Sequence, residues 1–180
     1  MKRILLAASG LCLLAAQPAD AALKVGALAP DFSAQASQAG KTFPFRLSEA
    51  LKNGPVVLYF FPAAFTSGCT IEAHEFADAA ATYRMLGATV IGVTAGNINR
   101  LKEFSVSECR SKFPVAADPN AVVAKSYDAA LAVWPGHSDR TSYVITPDDR
   151  VIFAYSDLKP DEHVTRTVAA LTSWRAGHPK

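Results

Sequence analysis

The sequence predicts an α/β fold with a mixed central β-sheet flanked by helices, and three observations support that prediction. Apolar runs rich in β-branched and aromatic residues, typical of buried strands, alternate with stretches whose apolar residues recur at helical spacing. The run over 88–94 is continuously apolar, which indicates a sheet covered on both faces. The chain closes with a hairpin and a helix, so antiparallel strands are expected beside parallel ones.

The first half of the chain supplies an arm, two strands and two helices. In chain order we predict an N-terminal arm over 25–32, an edge strand over 42–47, a short helix over 48–52, a turn at 53–55, a buried strand over 55–61, and a helix that begins near Cys69 and ends at Gly87. Only an edge strand readily tolerates Pro44. Ser48 is a candidate cap for the short helix.

The second half repeats the alternation and then closes it. We predict a buried strand over 88–94, a helix capped by Asn97 or Asn99 and carrying Leu101, Phe104 and Cys109, a short strand over 113–117, a helix starting at Asp118 and Pro119, a loop over 135–139, hairpin strands over 141–146 and 150–155, and a closing helix from about Pro160. Asp as a cap followed by Pro at the first helical position is a common helix start.

Residues 1–21 predict a cleaved signal peptide. They combine a charged start, an apolar run too short to span a bilayer, and a small-x-small cleavage site at 19–21. Cleavage there would remove Cys12 and leave one domain over 22–180. The domain is then expected in the periplasm, an exported compartment in which disulfides are permitted.

The charge pattern argues against nucleic-acid partners and against stable membrane association after signal cleavage. The chain has 18 Lys and Arg against 16 Asp and Glu, a formal net charge of +2. These charges are scattered, and no second apolar segment approaches membrane-spanning length. His74 lies near Cys69, but two such ligands are too few for zinc. We expect no metal and no cofactor.

Cys69 lies where a buried strand gives way to a helix. The first N–H groups of a helix lack intrahelical partners, and the helix dipole adds about half a positive charge there. A thiolate is therefore favoured over a thiol. Beyond residue 21 the sequence has one further cysteine, Cys109.

The segment 62–69, with the pattern Pro-x-x-x-Thr-x-x-Cys, and Glu72 beyond it resemble the peroxiredoxins, especially their Q-type, bacterioferritin-comigratory-protein-like branch. Arg140 before 141–145 resembles the arginine of that family at the head of a late strand, and 118–127 resembles its mid-chain helix. The resemblance covers nearly all of the chain after residue 21. It implies a thioredoxin-like fold and a thiol-dependent peroxidase.

The resemblance also implies a role for each residue of the motif. Cys69 would be the peroxidatic thiolate that attacks hydrogen peroxide or an organic hydroperoxide. The Thr66 hydroxyl would contact both the sulfur and the peroxide, Pro62 would shield the sulfur from water, and Arg140 would lie beside the sulfur and the O–O bond. The backbone N–H groups of Gly68 and Cys69 would complete the substrate site.

Ionisation of Cys69 explains only part of such a catalyst. An unperturbed thiol is about 3% thiolate at pH 7, so full ionisation gains roughly 30-fold, whereas enzymes commonly achieve about 10⁶-fold or more. The larger share is expected from donors aimed at the peroxide, above all Arg140. Taken singly, Thr66 could be only a helix cap, Arg140 only a surface cation, and Glu72 a capping or ion-pairing residue.

The resolving cysteine implied by the resemblance is Cys109. One group of Q-type enzymes carries it five residues after the peroxidatic cysteine, where this chain has His74, and another carries it in the next helix, which Cys109 matches. An intramolecular Cys69–Cys109 disulfide would form after local unwinding, because bridged Cα atoms must lie within about 7 Å. A thioredoxin-like dithiol protein would reduce it, and the enzyme would be a monomer or weak dimer.

Other functions stay open at this point. A disulfide oxidoreductase of the thioredoxin kind would need Cys-x-x-Cys at the helix start, where this chain has Thr66. An exported, non-enzymatic domain could instead use Cys69 and Cys109 as a structural disulfide, which would stabilise it by up to about 4 kcal/mol. Rapid, peroxide-dependent loss of the Cys69 thiol would support the peroxidase, whereas an inert bridge would support this structural role.

Overall fold

A computed structural model describes residues 22–179, so the predicted signal peptide over 1–21 lies outside the described residues. Strands β1 to β7 span Ser33–Gln38, Lys41–Arg46, Val56–Phe60, Thr89–Thr94, Val115–Ala117, Thr141–Ile145 and Val151–Ser156. Helices α1 to α6 span Leu47–Leu51, Ser67–Asp78, Ala80–Met85, Leu101–Ser107, Val122–Ser126 and His163–Gly177. Short 3₁₀ turns at Ile98–Arg100 and Pro119–Ala121 precede α4 and α5.

The seven strands form one mixed sheet in the order β2-β1-β5-β4-β3-β6-β7. Strands β3, β4 and β5 are parallel, and the outer pairings are antiparallel. The predicted α/β class with a mixed sheet is therefore confirmed. Within 22–179, none of the helices has the length and apolar character needed to cross a bilayer.

The central strand β3 has all five residues buried, as its continuous apolar run predicts. Val56, Leu58 and Phe60 pack into the core on one face, and Val57 and Tyr59 into the core on the other. This alternation follows from the two-residue period of a strand. Strand β6 lies antiparallel beside β3 with Phe60 opposite Thr141, so the start of β6 adjoins the end of β3.

Strand β1 is missing from the sequence-based prediction. Its residues, Ser-Ala-Gln-Ala-Ser-Gln, have weak strand propensity. The strand forms because it pairs with β2 on one side and β5 on the other. Residues Ala39 and Gly40 link β1 to β2 with positive φ angles of 49° and 75°, as expected for a tight hairpin turn. Strand β2 is the predicted edge strand and contains Pro44.

Two predicted helix caps are wrong. Helix α1 starts at Leu47 without a side-chain cap from Ser48; instead, the Asp31 carboxylate accepts from both the Ser48 amide and its hydroxyl. Asn97 adopts a left-handed conformation, and its amide donates to the Ala64 carbonyl at 2.8 Å. That contact ties the loop after β4 to the loop after β3.

Other helix ends agree with expectation or shift by a few residues. Gly87 follows α3 with φ 70°, and its N–H and that of Ala88 bond back to the last turn, so the predicted stop is confirmed. The closing helix starts at His163 rather than near Pro160. Asp118 caps α5, because its two carboxylate oxygens accept the N–H groups of Val123 and Ala124 at 2.9 Å.

Candidate active site

Cys69 lies in the first turn of α2, as predicted, and is 1% exposed. The loop between β3 and α2 holds it there through three carbonyls. Ser138 donates to the Phe61 carbonyl at 2.6 Å, Thr94 to that of Pro62 at 3.2 Å, and Asn97 to that of Ala64. These bonds fix the loop that leads into the helix, and the N–H groups of the first turn precede the first intrahelical bond, in which Thr70 donates to Thr66.

Arg140 is 4% exposed and lies directly before β6, beside the end of β3. Its three nitrogens have different partners. Nη2 contacts the Sγ of Cys69 at 3.6 Å, Nε donates to the Leu158 carbonyl at 2.8 Å, and Nη1 pairs with the Glu72 carboxylate. Arg140 is therefore no surface cation. A planar guanidinium with three anchors is fixed in direction as well as in position.

Glu72 is fully buried one helical turn after Cys69, so its carboxylate and the thiol share a face of α2. Of the roles considered from the sequence, the structure shows pairing of the Glu72 carboxyl group with the guanidinium of Arg140. Burial raises the pKa of Glu72 to about 8, although the charge and hydrogen bond of Arg140 oppose that shift. Two ionisable groups, Glu72 and Cys69, thus share one guanidinium.

His163, at the start of α6, is a site residue that sequence reasoning missed. It is fully buried, with Nδ1 3.8 Å from Oε1 of Glu72 and 2.8 Å from the Ser142 hydroxyl, while Nε2 lies 2.9 Å from the Asp157 carbonyl. A histidine at the start of an amphipathic helix gives no functional signal by itself. The one available hint was spacing: His163 lies two helical turns before Leu171 and therefore on the apolar face of the closing helix.

Thr66 and Pro62 lie in the loop that leads into α2. Thr66 is the N-cap residue, and its hydroxyl donates to the Ala63 carbonyl at 3.0 Å. Within residues 22–179 no hydrogen bond joins that hydroxyl to the sulfur of Cys69. Pro62 is half-buried between Phe61 and Ala63, which are buried. The structure thus brings Arg140 into contact with the sulfur, whereas Thr66 is directed to the backbone.

Gly68 leaves room for the guanidinium of Arg140. A Cβ at this position would meet Nη2 at 3.0 Å and the central guanidinium carbon at 3.9 Å. Gly68→Ala should therefore push Arg140 away from Cys69 and slow sulfur oxidation roughly tenfold, because small displacements of a positioned group are costly in rate. Rapid-mixing kinetics of thiol loss with hydrogen peroxide would measure this.

The matched control for Gly68→Ala is Gly177→Ala. Gly177 is also helical, but a Cβ there meets nothing within 4 Å. Both variants gain from the better helix propensity of alanine, by up to about 1 kcal/mol. An unchanged oxidation rate in Gly68→Ala would show that Arg140 moves aside without losing its function.

Cys109 lies just beyond α4, which ends at Ser107, so its prediction as a helical residue is wrong. The chain turns because Arg110 and Ser111 adopt left-handed conformations with φ 47° and 58°. Cys109 is fully buried in the same apolar cluster as Cys69, and both thiols are free. Burial and the neighbouring Glu108 raise the pKa of Cys109 far above its usual range.

Two side-chain pairs flank Cys109 and join it to the helix of Cys69. Nε2 of His74 lies 2.9 Å from the Glu108 carboxylate, and Nη1 of Arg110 lies 2.5 Å from the Asp78 carboxylate. His74 and Asp78 are one turn apart on α2. We refer to these two pairs as the α2 clamp. No group of three or more His, Cys, Asp or Glu in the described chain could hold a metal ion.

Comparisons with known proteins agree with this architecture. The AhpC/TSA family model matches residues 25–154. A Mycobacterium tuberculosis protein named as a peroxiredoxin is 32% identical over 137 residues, which cover 74% of this chain and 88% of the relative. Chloroplastic peroxiredoxin Q of Triticum aestivum is 31% identical over 144 residues, 79% of this chain and 64% of the relative.

A solved structure shows the same fold. The crystal structure of the peroxidoxin BcpB from Mycobacterium tuberculosis superposes with a TM-score of 0.75 at 30% identity, over 84% of this chain and 97% of that one. The reduced 2-Cys peroxiredoxin of Plasmodium vivax, at 17% identity, shares the fold with a TM-score of 0.76. The thioredoxin-like architecture expected from the sequence is thereby confirmed.

Proposed function

This chain belongs to the AhpC/TSA family and is a Q-type peroxiredoxin, a thiol-dependent peroxidase, and from this premise we propose that Cys69 is its peroxidatic cysteine and Cys109 its resolving cysteine. The family rests on the sequence and structural matches. The assignment of roles rests on the geometry around the two thiols, together with the resemblance of segment 62–69 to the family motif.

The observation that carries the proposal is the contact between Nη2 of Arg140 and the buried Sγ of Cys69 at 3.6 Å. A guanidinium and a helix N-terminus both favour the thiolate, which is the reactive form. The same guanidinium can donate to the peroxide as negative charge develops on the leaving oxygen. The N–H groups of Gly68 and Cys69 lie in the same first turn and add donors.

The first chemical step is nucleophilic substitution at oxygen. The Cys69 thiolate attacks the terminal oxygen of hydrogen peroxide or an organic hydroperoxide; an S–O bond forms, the O–O bond breaks, and the leaving oxygen takes a proton to become water or an alcohol. Cys69 is oxidised to a sulfenic acid. In the second step the sulfur of Cys109 attacks that of Cys69, a disulfide forms, and water leaves.

The second step requires the segment around Cys109 to detach from the core. In the reduced fold this thiol is fully buried, and its raised pKa makes it a poor nucleophile. The left-handed residues Arg110 and Ser111 each adopt a conformation that costs about 1–2 kcal/mol, which lowers the cost of unwinding. A thioredoxin-like dithiol protein then reduces the bridge and restores both thiols.

Compartment and assembly are part of the proposal. The sequence pattern over 1–21 supports export to the periplasm, where a secreted or membrane-tethered dithiol protein would serve as the reductant. Monomers or weak dimers are proposed for the mature enzyme. Gel filtration of the protein starting at Ala22, in its reduced and its oxidised form, would measure the assembly state.

Intact-mass analysis after one equivalent of hydrogen peroxide tests the proposed chemistry. Wild type should lose two hydrogens and yield a peptide in which Cys69 and Cys109 are joined. Cys109→Ser should gain one oxygen on Cys69 instead. A wild type that forms no new bridge would overturn the assignment of Cys109, and a Cys109→Ser protein without sulfenic acid would overturn that of Cys69.

The α2 clamp should slow disulfide formation, since both of its side-chain pairs must open as Cys109 leaves. The double variant Asp78→Asn, Glu108→Gln should therefore form the Cys69–Cys109 bridge about two- to fivefold faster. The effect is modest because each partly exposed pair contributes only about 0.2–1 kcal/mol to the stability of the folded state. Rapid acid quench after sulfenic acid formation would give the rate.

Glu49→Gln is the matched control for the clamp. It breaks an exposed ion pair between α1 and Lys52, and the buried residues of α1 belong to a different core cluster from Cys109. High salt should speed the wild-type reaction and leave the double variant nearly unchanged, because salt screens the clamp. An equal or slower rate in the double variant would rule out the clamp as a brake on resolution.

A further inference from the structure

The buried cluster beside Cys69 holds one permanent cation and two groups that can be anions. The cation is the guanidinium of Arg140, which contacts both the Sγ of Cys69 and the carboxylate of Glu72. Cys69 is 1% exposed, Arg140 4%, and Glu72 and His163 are fully buried. Because buried charges must be balanced locally, the charge state of Glu72 depends on that of Cys69.

His163 is held as a neutral imidazole. A carbonyl oxygen can only accept, so the 2.9 Å contact with Asp157 places a hydrogen on Nε2. In the neutral imidazole Nδ1 is then the acceptor, and the Ser142 hydroxyl, 2.8 Å away, donates to it. Burial lowers the pKa of His163, and Arg140 nearby adds to that effect. In this state His163 contributes no second positive charge to the cluster.

Oxygen Oε1 of Glu72 has no hydrogen-bond partner among the described residues, although it is buried. It faces Nδ1 of His163 across 3.8 Å. A buried carboxylate oxygen without a partner is unfavourable. A proton on Oε1 removes the unpartnered negative charge, and the resulting carboxyl O–H can donate to Nδ1 of His163 once the Ser142 hydroxyl, which otherwise occupies the single lone pair of Nδ1, turns away. Burial acts in the same direction by raising the pKa of Glu72.

We propose that the Glu72–His163 pair holds one proton between Oε1 and Nδ1 while Cys69 is a thiolate and gives that proton up when the thiolate is oxidised. The proposal rests on the proposed role of Cys69. While Cys69 is a thiolate, it neutralises Arg140 and Glu72 stays protonated. Once Cys69 is an uncharged sulfenic acid, Arg140 needs another anion, and Glu72 ionises. Glu72 and His163 act through Arg140 and are positioning residues.

The proton and electron count closes without another reactant. The thiolate gives an electron pair to the terminal peroxide oxygen, the O–O bond breaks, and the leaving oxygen departs as an anion. This oxygen takes one proton and becomes water or an alcohol. Glu72 releases one proton as it ionises, so no net proton is taken from solution. When a dithiol later reduces the disulfide, Cys69 returns as a thiolate and the pair takes the proton back.

Further ionisable groups face the pair from the surrounding elements and belong to the same titration. They are Cys69 and Glu75 of α2, Tyr59 of β3, Tyr83 of α3, Arg140 at the head of β6, Tyr155 of β7, and Asp157 of the next loop. Burial raises the pKa of Tyr59 and Tyr83, so both stay neutral near pH 7. These two tyrosines therefore do not supply the proton that moves near pH 7.

Counting protons during the first step tests the proposal. Cys109→Ser, which stops at the sulfenic acid, is mixed with one equivalent of hydrogen peroxide in weak buffer containing a pH indicator. The thiolate fraction of Cys69 is read from its ultraviolet absorbance. We expect well under one proton to be taken from solution per thiolate oxidised near pH 7. Uptake of a full proton would overturn the proposal.

Adding Glu72→Gln to Cys109→Ser should restore uptake to one proton per thiolate oxidised. Glutamine keeps the size and the donor of a protonated Glu72 but cannot ionise. Infrared difference spectra of the Cys109→Ser protein give a test that needs no change at Glu72: a protonated carboxyl band should vanish when Cys69 is oxidised. Sulfenic acid formation without loss of such a band overturns this inference alone, whereas failure to form sulfenic acid overturns the proposed function.

Discussion

Replacing Arg140 with lysine should slow oxidation of Cys69 by hydrogen peroxide about 10²- to 10³-fold, the usual effect of removing one donor to a developing negative charge. The guanidinium reaches the Cys69 sulfur, the Glu72 carboxylate and the Leu158 carbonyl at once. An ammonium group is a point charge without that planar arrangement of donors, so it cannot keep all three contacts. Rapid-mixing measurements of thiol loss under excess peroxide would give the rate constant.

Arg150→Lys is the matched control for this experiment. Arg150 lies in the turn of the same β6–β7 hairpin, is exposed, and donates to the Gly26 carbonyl. Its replacement should leave the rate unchanged. A loss of less than about threefold in Arg140→Lys, with thermal stability preserved, would mean that charge alone is needed and that the fixed donor geometry is not.

Cys109→Ser should abolish steady-state turnover with a thioredoxin-like reductant while leaving the first oxidation of Cys69 close to the wild-type rate. Without a resolving thiol, the sulfenic acid of Cys69 persists in its buried position, where a protein dithiol cannot reach it. Excess peroxide should then oxidise it further to the sulfinic acid. Coupled turnover assays and intact-mass analysis would measure the two effects.

Cys109→Ala serves as the control for packing. Serine places a hydroxyl in an apolar cluster, which costs about 1–3 kcal/mol if the group finds no partner, whereas alanine leaves a small cavity. Both variants should lose turnover despite their different stabilities. Wild-type turnover in either one would show that the reductant acts on Cys69 directly and that the enzyme needs a single cysteine.

The sequence predicted the central sheet and the position of Cys69 well, because both depend on local patterns. Continuous apolar runs identified β3 and β4, and Cys69 follows β3 at the start of a helix. Strand β1 escaped prediction since pairing with its neighbours, rather than its own residues, makes it a strand. The position of Arg140 was available only through the family resemblance.

The remaining site residues depend on tertiary contacts that no local pattern contains. Glu72 could be placed on the face of Cys69 from its spacing, yet its partner is 68 residues away. His163 meets Glu72 only because α6 packs against α2. The helical spacing of Leu101 and Phe104 suggested that α4 continues to Cys109, whereas the left-handed residues after it break the helix.

The pairing of Phe60 with Thr141 limits where residues can be inserted into or deleted from the chain without loss of activity. A single-residue insertion within β3 would reverse the face of every side chain beyond it and carry Cys69 away from Arg140. The exposed loop over 132–136 is different, because β6 is fixed by β3 on one side and β7 on the other. Length variation among natural variants should therefore concentrate in that loop and be absent between Val56 and Cys69.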